Sequence, residues 1–155
     1  MIRKVMTLTA LAAISGQALA TDVLNHKSPY CGCCTEWTEH MQDAGFDVTE
    51  KLHDDMNPIK QKLGVTPELA SCHTAEIDGY VFEGHIPAED VKAFLENPPR
   101  NAIGLAVPGM PMGSPGMEYG DKKDEYSVYA FNEKGQVFEY LSLIHISEPT
   151  RRRLI

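Results

Sequence analysis

The chain has 155 residues, 43% of them hydrophobic and 23% charged, which suits one folded domain and argues against both disorder and a pair of ordinary domains. Its formal charge of -8 lacks the basic excess on which nonspecific nucleic-acid binding depends. Four cysteines, six histidines and seven methionines direct attention to metal or redox chemistry.

Residues 1–20 read as a secretory signal peptide. Arg3 and Lys4 are its basic start, residues 5–14 its apolar stretch, and Ala18-Leu19-Ala20 its cleavage site. The apolar stretch is about ten residues, too short for a helix to cross a hydrocarbon core of about 30 Å. Export then implies a periplasmic protein, no membrane contact after cleavage, and a compartment in which disulfides persist. At the other end, residues 141–151 read LSLIHISEPTR, the peptide that a transposase sequencing adapter encodes. Residues 141–155 are therefore set aside as non-native, and His145 and the Arg151-Arg152-Arg153 run with them. The domain of 21–140 carries nine Lys/Arg against 21 Asp/Glu, a net charge of -12. Such a field favours solubility and attracts cations.

Within that domain a short strand at 22–24 leads through Ser28-Pro29-Tyr30 into Cys31-Gly32-Cys33-Cys34. A helix is expected over about 35–44, with Trp37, Met41 and Ala44 on one face and Gly45 ending it. A strand follows at 46–53, then a short helix at 58–63 with Asn57 as N-cap and Pro58 first in it. Two strands, 70–77 and 80–84, flank Asp78-Gly79, a strong hairpin signal. A third helix at 87–96 stops at Asn97-Pro98-Pro99. The Gly/Pro-rich 104–120 is expected to be irregular, and 126–131 with 136–140 to form a second hairpin. A strand running into C-x-x-C at a helix start, within β-α-β-α-β-β-α order, predicts an α/β, thioredoxin-like single domain with a mixed sheet.

Cys31, Cys33 and Cys34 contain both C-x-x-C and C-x-C spacings. A helix N-terminus favours thiolate through its free N–H groups and macrodipole, and thiolates are the soft ligands that select Cu(I) or zinc. Three thiols within four residues leave one to pair with the distant Cys72, stay free, or bind metal. Cys72 is expected on the strand that ends near the motif, so that four thiolates converge. Two structural disulfides, a plain redox C-x-x-C, and metal binding by three or four thiols all remain open. His73 and His85 are metal ligands or neighbours of ligands. His26 is a weaker candidate, and His40 and His53 read as surface residues. Met110, Met112 and Met117 sit in the Gly/Pro-rich loop, where thioethers suit Cu(I) or else plug the loop onto the core.

Three stretches, YCGCCTEWTEHM, GVTPELASCHTAEIDGYVFEGHIPAEDV and GLAVPGMPMGSPGME, together resemble the CopG family of small bacterial periplasmic copper-resistance proteins. The resemblance spans residues 23–140. It implies a thioredoxin-like fold that binds copper, with Cys31, Cys33, Cys34 and Cys72 bridging a multinuclear copper cluster. It implies a role in copper tolerance, by holding copper or changing its oxidation state, with copper ions and periplasmic copper-handling proteins as partners. His73, His85, Met110, Met112 and Met117 are carried over only as neighbours of that site. The residues admit two other readings. One is a thiol–disulfide oxidoreductase with Cys31 as nucleophile and Cys34 as resolving thiol; Cys33, a third thiol, argues against it. The other is a zinc-stabilised interaction module, which the methionines do not favour.

Overall fold

The computed structural model describes residues 20–143; the expected signal segment up to residue 19 and the chain from 144 onward lie outside the described residues. Seven strands and three helices follow one another as β1 (Asp22–Lys27), α1 (Gly32–Asp43), β2 (Asp47–Leu52), α2 (Asn57–Lys62), β3 (Thr74–Ile77), β4 (Tyr80–Glu83), α3 (Ala88–Glu96), β5 (Gly104–Ala106), β6 (Tyr126–Phe131) and β7 (Val137–Leu143). The strands form one mixed sheet in the order β2-β1-β3-β4-β5-β6-β7. β1 runs parallel to β2 and β4 to β5; the other neighbours are antiparallel. Among the described residues no helix is long and apolar enough to cross a membrane.

Alternation along the strands assigns the two faces. Phe82 joins Trp37 and Met41 of α1 and Val91 and Phe94 of α3 in the main core, while its neighbour Val81 packs with Val65, Leu69, Ala106 and Phe131 on the other side. Trp37 and Met41, one helical turn apart, are fully buried, which is what ties α1 to the sheet and fixes the cysteines at its start. Phe94 meets Tyr80 and Phe82 edge-on at 5.1 and 5.5 Å. Gly45, at φ +95°, turns the chain out of α1 as expected.

Three expectations are corrected. The helix begins at Gly32 and not at about 35, with Cys31 as its N-cap; the cysteine motif stands at the helix start, as expected. The segment 104–120 is not wholly irregular: Gly104–Ala106 form β5 beside β4. A side chain at Gly104 would lie 1.8 Å from the Val81 carbonyl oxygen, so glycine here permits close strand approach and does not break the strand. Finally, β3 starts at Thr74, not at 70. The Ser71 backbone N–H bonds the Glu83 carboxylate at 2.6 Å in place of a ladder partner, and Cys72 stands in the loop before the strand. Smaller shifts occur at α2, where Met56 is the N-cap in place of Asn57, and at β1 and β7, which run on to Lys27 and Leu143.

Candidate metal centre

β1 and the start of α1 deliver Cys31, Cys33 and Cys34 to one end of the sheet, and the loop before β3 delivers Cys72 to the same end. The four sulfur atoms lie within 4.8 Å of one another. Cys31 and Cys34 are joined by a disulfide, their Cα atoms 5.4 Å apart, while Cys33 and Cys72 are free. Cys33 Sγ stands 3.5 Å from Cys31 Sγ and 3.9 Å from Cys72 Sγ. Thiolates that share an ion at about 2.3 Å are about 3.8 Å apart in a tetrahedral shell, and these separations fall on either side of that value. The donor set therefore fits a soft cation once the disulfide is reduced.

Two histidines close the other side of Cys72. His85 Nδ1–H donates to the Pro115 carbonyl at 2.7 Å, which leaves Nε2 as an acceptor 2.9 Å from Cys72 Sγ. His73 Nδ1 lies 3.5 Å from the same sulfur. Its ring lies 4.5 Å from Trp37, tilted by 43°, and meets His85 edge-on at 4.9 Å. His73 Nε2 is buried with no hydrogen-bond partner among the described residues. Burial holds His73 well below the ordinary histidine range, with His85 and Lys60 adding to it, and burial also lowers His85. Both rings are neutral, the form that ligates metal. Burial first, and then the charge of Cys33, pushes the Cys72 thiol up to about 12, so the metal-free site holds Cys72 as S–H directed at His85. Cys72, His73 and His85 form a second potential ligand group that shares its sulfur with the first.

Alternation on a strand would send His73 to the face opposite Cys72. Because both precede β3, that rule does not apply and the two converge. Met110 and Met117 each follow a glycine that packs beside the site. Gly109 N–H bonds the Ala70 carbonyl at 3.1 Å and the Gly109 carbonyl accepts from Ser71 Oγ, which brings Met110 beside the Cys72 loop. Its side chain is 53% exposed, on an open cleft with Pro111, Asp124 and Tyr126. Met117 is buried and follows Gly116, whose Cβ position lies 2.6 Å from the Cys33 carbonyl oxygen and 2.8 Å from the Trp37 nitrogen. Met112 is partly buried, its N–H on Asp124 at 2.9 Å.

Sequence reasoning missed the groups beneath the site. Lys60, Glu83 and Thr74 are all buried. Lys60 Nζ pairs with Glu83 and donates to Thr74 Oγ1 at 3.1 Å, and Thr74 Oγ1 donates to the second Glu83 oxygen at 2.6 Å. With the Ser71 N–H on the same carboxylate, this network holds the Cys72 loop. The only signal in the sequence is a charge inside the apolar run Tyr80-Val81-Phe82-Glu83. Lys27, also buried, contacts Thr35 of α1 and reaches Glu50 at 3.2 Å.

A profile described as "Protein of unknown function, DUF411" matches residues 69–117, the stretch that holds Cys72, both histidines and the methionine loop. No curated protein matches the chain. Among solved structures, one described as "Copper resistance protein copG- Form 2" is 41% identical, with 81% of this chain and 99% of that chain covered at a TM-score of 0.76. A second, "Copper resistance protein copG- Form 1", is also 41% identical, with 79% and 97% covered at 0.75. Since nearly the whole of those proteins is matched at that identity, the chain belongs to the CopG family of copper resistance proteins.

Proposed function

We propose that this protein acts in copper tolerance in the periplasm by holding Cu(I) in a thiolate-bridged cluster of Cys31, Cys33, Cys34 and Cys72. The observation that carries the reading is the packing of four sulfurs within 4.8 Å, together with relatives named for copper resistance. Bridging thiolates let four sulfurs hold more copper than terminal ligation would, and the central position of Cys33, between Cys31 and Cys72, suits a bridge. His85 Nε2 is aimed at the Cys72 end of the group, and the Pro115 carbonyl fixes its tautomer, as outer hydrogen bonds do for metal-bound histidines. The periplasmic location rests on the signal-like residues 1–20. A thioredoxin-like core is supported by the run from β1 to α3, by the sheet order β2-β1-β3-β4, and by a C-x-x-C disulfide at the start of α1.

Copper loading of the disulfide form requires two electrons and two protons from a reductant such as an external thiol, which convert Cys31–Cys34 to two thiols. The test is copper content by elemental analysis after reduction and Cu(I) loading. More than one tightly held copper per chain is expected, falling in Cys33→Ser with the fold unchanged by circular dichroism. Wild-type content in Cys33→Ser would sink the bridged cluster.

The Cys31–Cys34 disulfide itself favours a second reading, thiol–disulfide exchange. One copper or none, with rapid reduction of insulin by the metal-free dithiol form, would select it.

A further inference from the structure

The segment 113–118 lies as a strap against the start of α1, beside the thiol site. It closes on itself through Gly113 N–H on the Met117 carbonyl and Met117 N–H on the Ser114 carbonyl, both at 2.8 Å. Two of its residues touch the site. The Pro115 carbonyl accepts the His85 Nδ1–H, and Gly116 packs so closely on the Cys33 carbonyl that no side chain fits there. Glu118 engages both of its carboxylate oxygens. Oε2 accepts the Gly116 N–H at 2.7 Å, and Oε1 accepts from His40 Nε2, in the last turn of α1, at 2.9 Å. Among the described residues this is the one hydrogen bond between the strap and α1. His40 is a surface residue, as expected, but a partnered one; it and Glu118 are each about half-exposed.

We propose that Glu118 is a positioning residue for the metal centre: it latches the strap to α1 through His40 and so holds the Pro115 carbonyl on His85. The chain of contacts is short. His40 holds the carboxylate, the carboxylate holds Gly116, the adjoining Pro115 carbonyl orients the His85 ring, and His85 Nε2 faces Cys72 Sγ. Groups behind a histidine fix its tautomer and ring orientation, and here that group is itself held in place from the surface. His40 Nε2–H donates from a neutral ring as from a charged one, so the latch needs no pH step. An exposed pair of this kind is weak and screened by salt, and it opens without unfolding the domain. Once it is open, the strap lifts from the Cys33 backbone and His85 loses its orienting carbonyl. The latch thereby sets how fast an ion enters and leaves the site. Its weight for copper rests on the function proposed above; its hold on His85 does not.

The test takes two readouts on the full chain. In the metal-free disulfide form, nitrogen-resolved NMR follows exchange of the His85 Nδ1–H with water. That proton is expected to exchange slowly in wild type, several-fold faster in His40→Ala and in Glu118→Ala, and no faster in the double variant than in Glu118→Ala alone. Glu36→Gln removes another carboxylate whose charge acts on His85 but leaves the latch intact, and it should change nothing. In the reduced, Cu(I)-loaded form, release to an excess of bathocuproine is expected to run about three- to fivefold faster in His40→Ala and Glu118→Ala, the range that an exposed pair supports. Unchanged Nδ1–H exchange in both single variants, an equal effect of Glu36→Gln, additive effects in the double variant, or unaltered copper release would each overturn the proposal. A wild type that holds no copper would overturn the copper reading instead, and the exchange measurement would still decide for or against the latch.

Discussion

Replacing Glu83 by glutamine tests whether the buried network beneath Cys72 carries both the fold and the site. Glu83 is fully buried, and the Lys60 side chain is 10% exposed. Glutamine keeps the size and one carbonyl oxygen for Lys60 and the Ser71 N–H, and its amide can face Thr74. What disappears is the negative charge. An uncompensated buried charge costs about 3–5 kcal/mol, and the small exposure of Lys60 places the expectation at about 3 kcal/mol. With a urea dependence near 1.5 kcal/mol per molar, the midpoint falls by about 2 M. Lys60→Met combined with Glu83→Gln removes the stranded cation, and since an apolar replacement of a buried pair is often neutral, this double variant should return to within about 1 kcal/mol of wild type. Urea unfolding of the wild type, both single variants and the double variant completes the cycle. The reactivity of Cys72 toward a disulfide reagent, expected to rise in Glu83→Gln alone, reports on the loop. A Glu83→Gln cost below about 0.5 kcal/mol, within the range of ordinary surface substitutions, or a double variant no more stable than that single one, would refute the reasoning.

Gly116→Ala places a methyl 2.6 Å from the Cys33 carbonyl oxygen at a φ of +83°, so it should cost about 1–3 kcal/mol and lift the loop from α1; the fluorescence of Trp37, the single tryptophan, should shift with it. Burial and then Glu89 raise Asp90 to about 6 from an ordinary 3.8, and its Oδ2 has no partner among the described residues. The folded state thus binds the proton more tightly, and stability should fall as pH rises from about 4 to 6. Asp90→Asn should gain about 1 kcal/mol above pH 6 and nothing below pH 4 in thermal melts, the figure being reduced for partial solvation and for the helix N-terminus, which favours the charge. His85→Ala should weaken Cu(I) retention against a competing chelator about tenfold if His85 completes the site; an unchanged competition curve would confine it to a hydrogen bond with Cys72.

Much of this was legible in the sequence because spacing constrains it. Three cysteines in four residues have to share one helical turn, and Trp37 with Met41 has to aim that helix at the core. Asp78-Gly79 turns with both residues at positive φ, 49° and 81°, as the hairpin signal requires. What was hidden depends on partners far along the chain. Gly104 reads as a breaker until the Val81 carbonyl is opposite it. Nothing local to Lys27, Lys60 or Glu83 marks them as buried, because each is neutralised by a group 23 residues away. His53 reads as surface for the same reason, its partner His26 being 27 residues earlier.

The late start of β3 at Thr74 matters most for function. Had 70–77 been a continuous strand, Cys72 and His73 would face opposite sides, and one of them would be lost to the site. The Glu83 carboxylate accepts the Ser71 N–H in place of a neighbouring strand, and Gly84 leaves room where a side chain would meet Ser71 at 2.6 Å. Freed from the pleat, Cys72 turns toward Cys33 while His73 stays against Trp37 and within 3.5 Å of the same sulfur. The Cys31–Cys34 bond then divides the four sulfurs into a closed pair and an open pair. Cys33 is in contact with both Cys31 and Cys72, so reduction adds two donors beside two already gathered. On the proposed copper reading, copper capacity and thiol oxidation state would be tied to the same atoms: an ion held by all four sulfurs would block the disulfide, and the disulfide removes half of the candidate ligands.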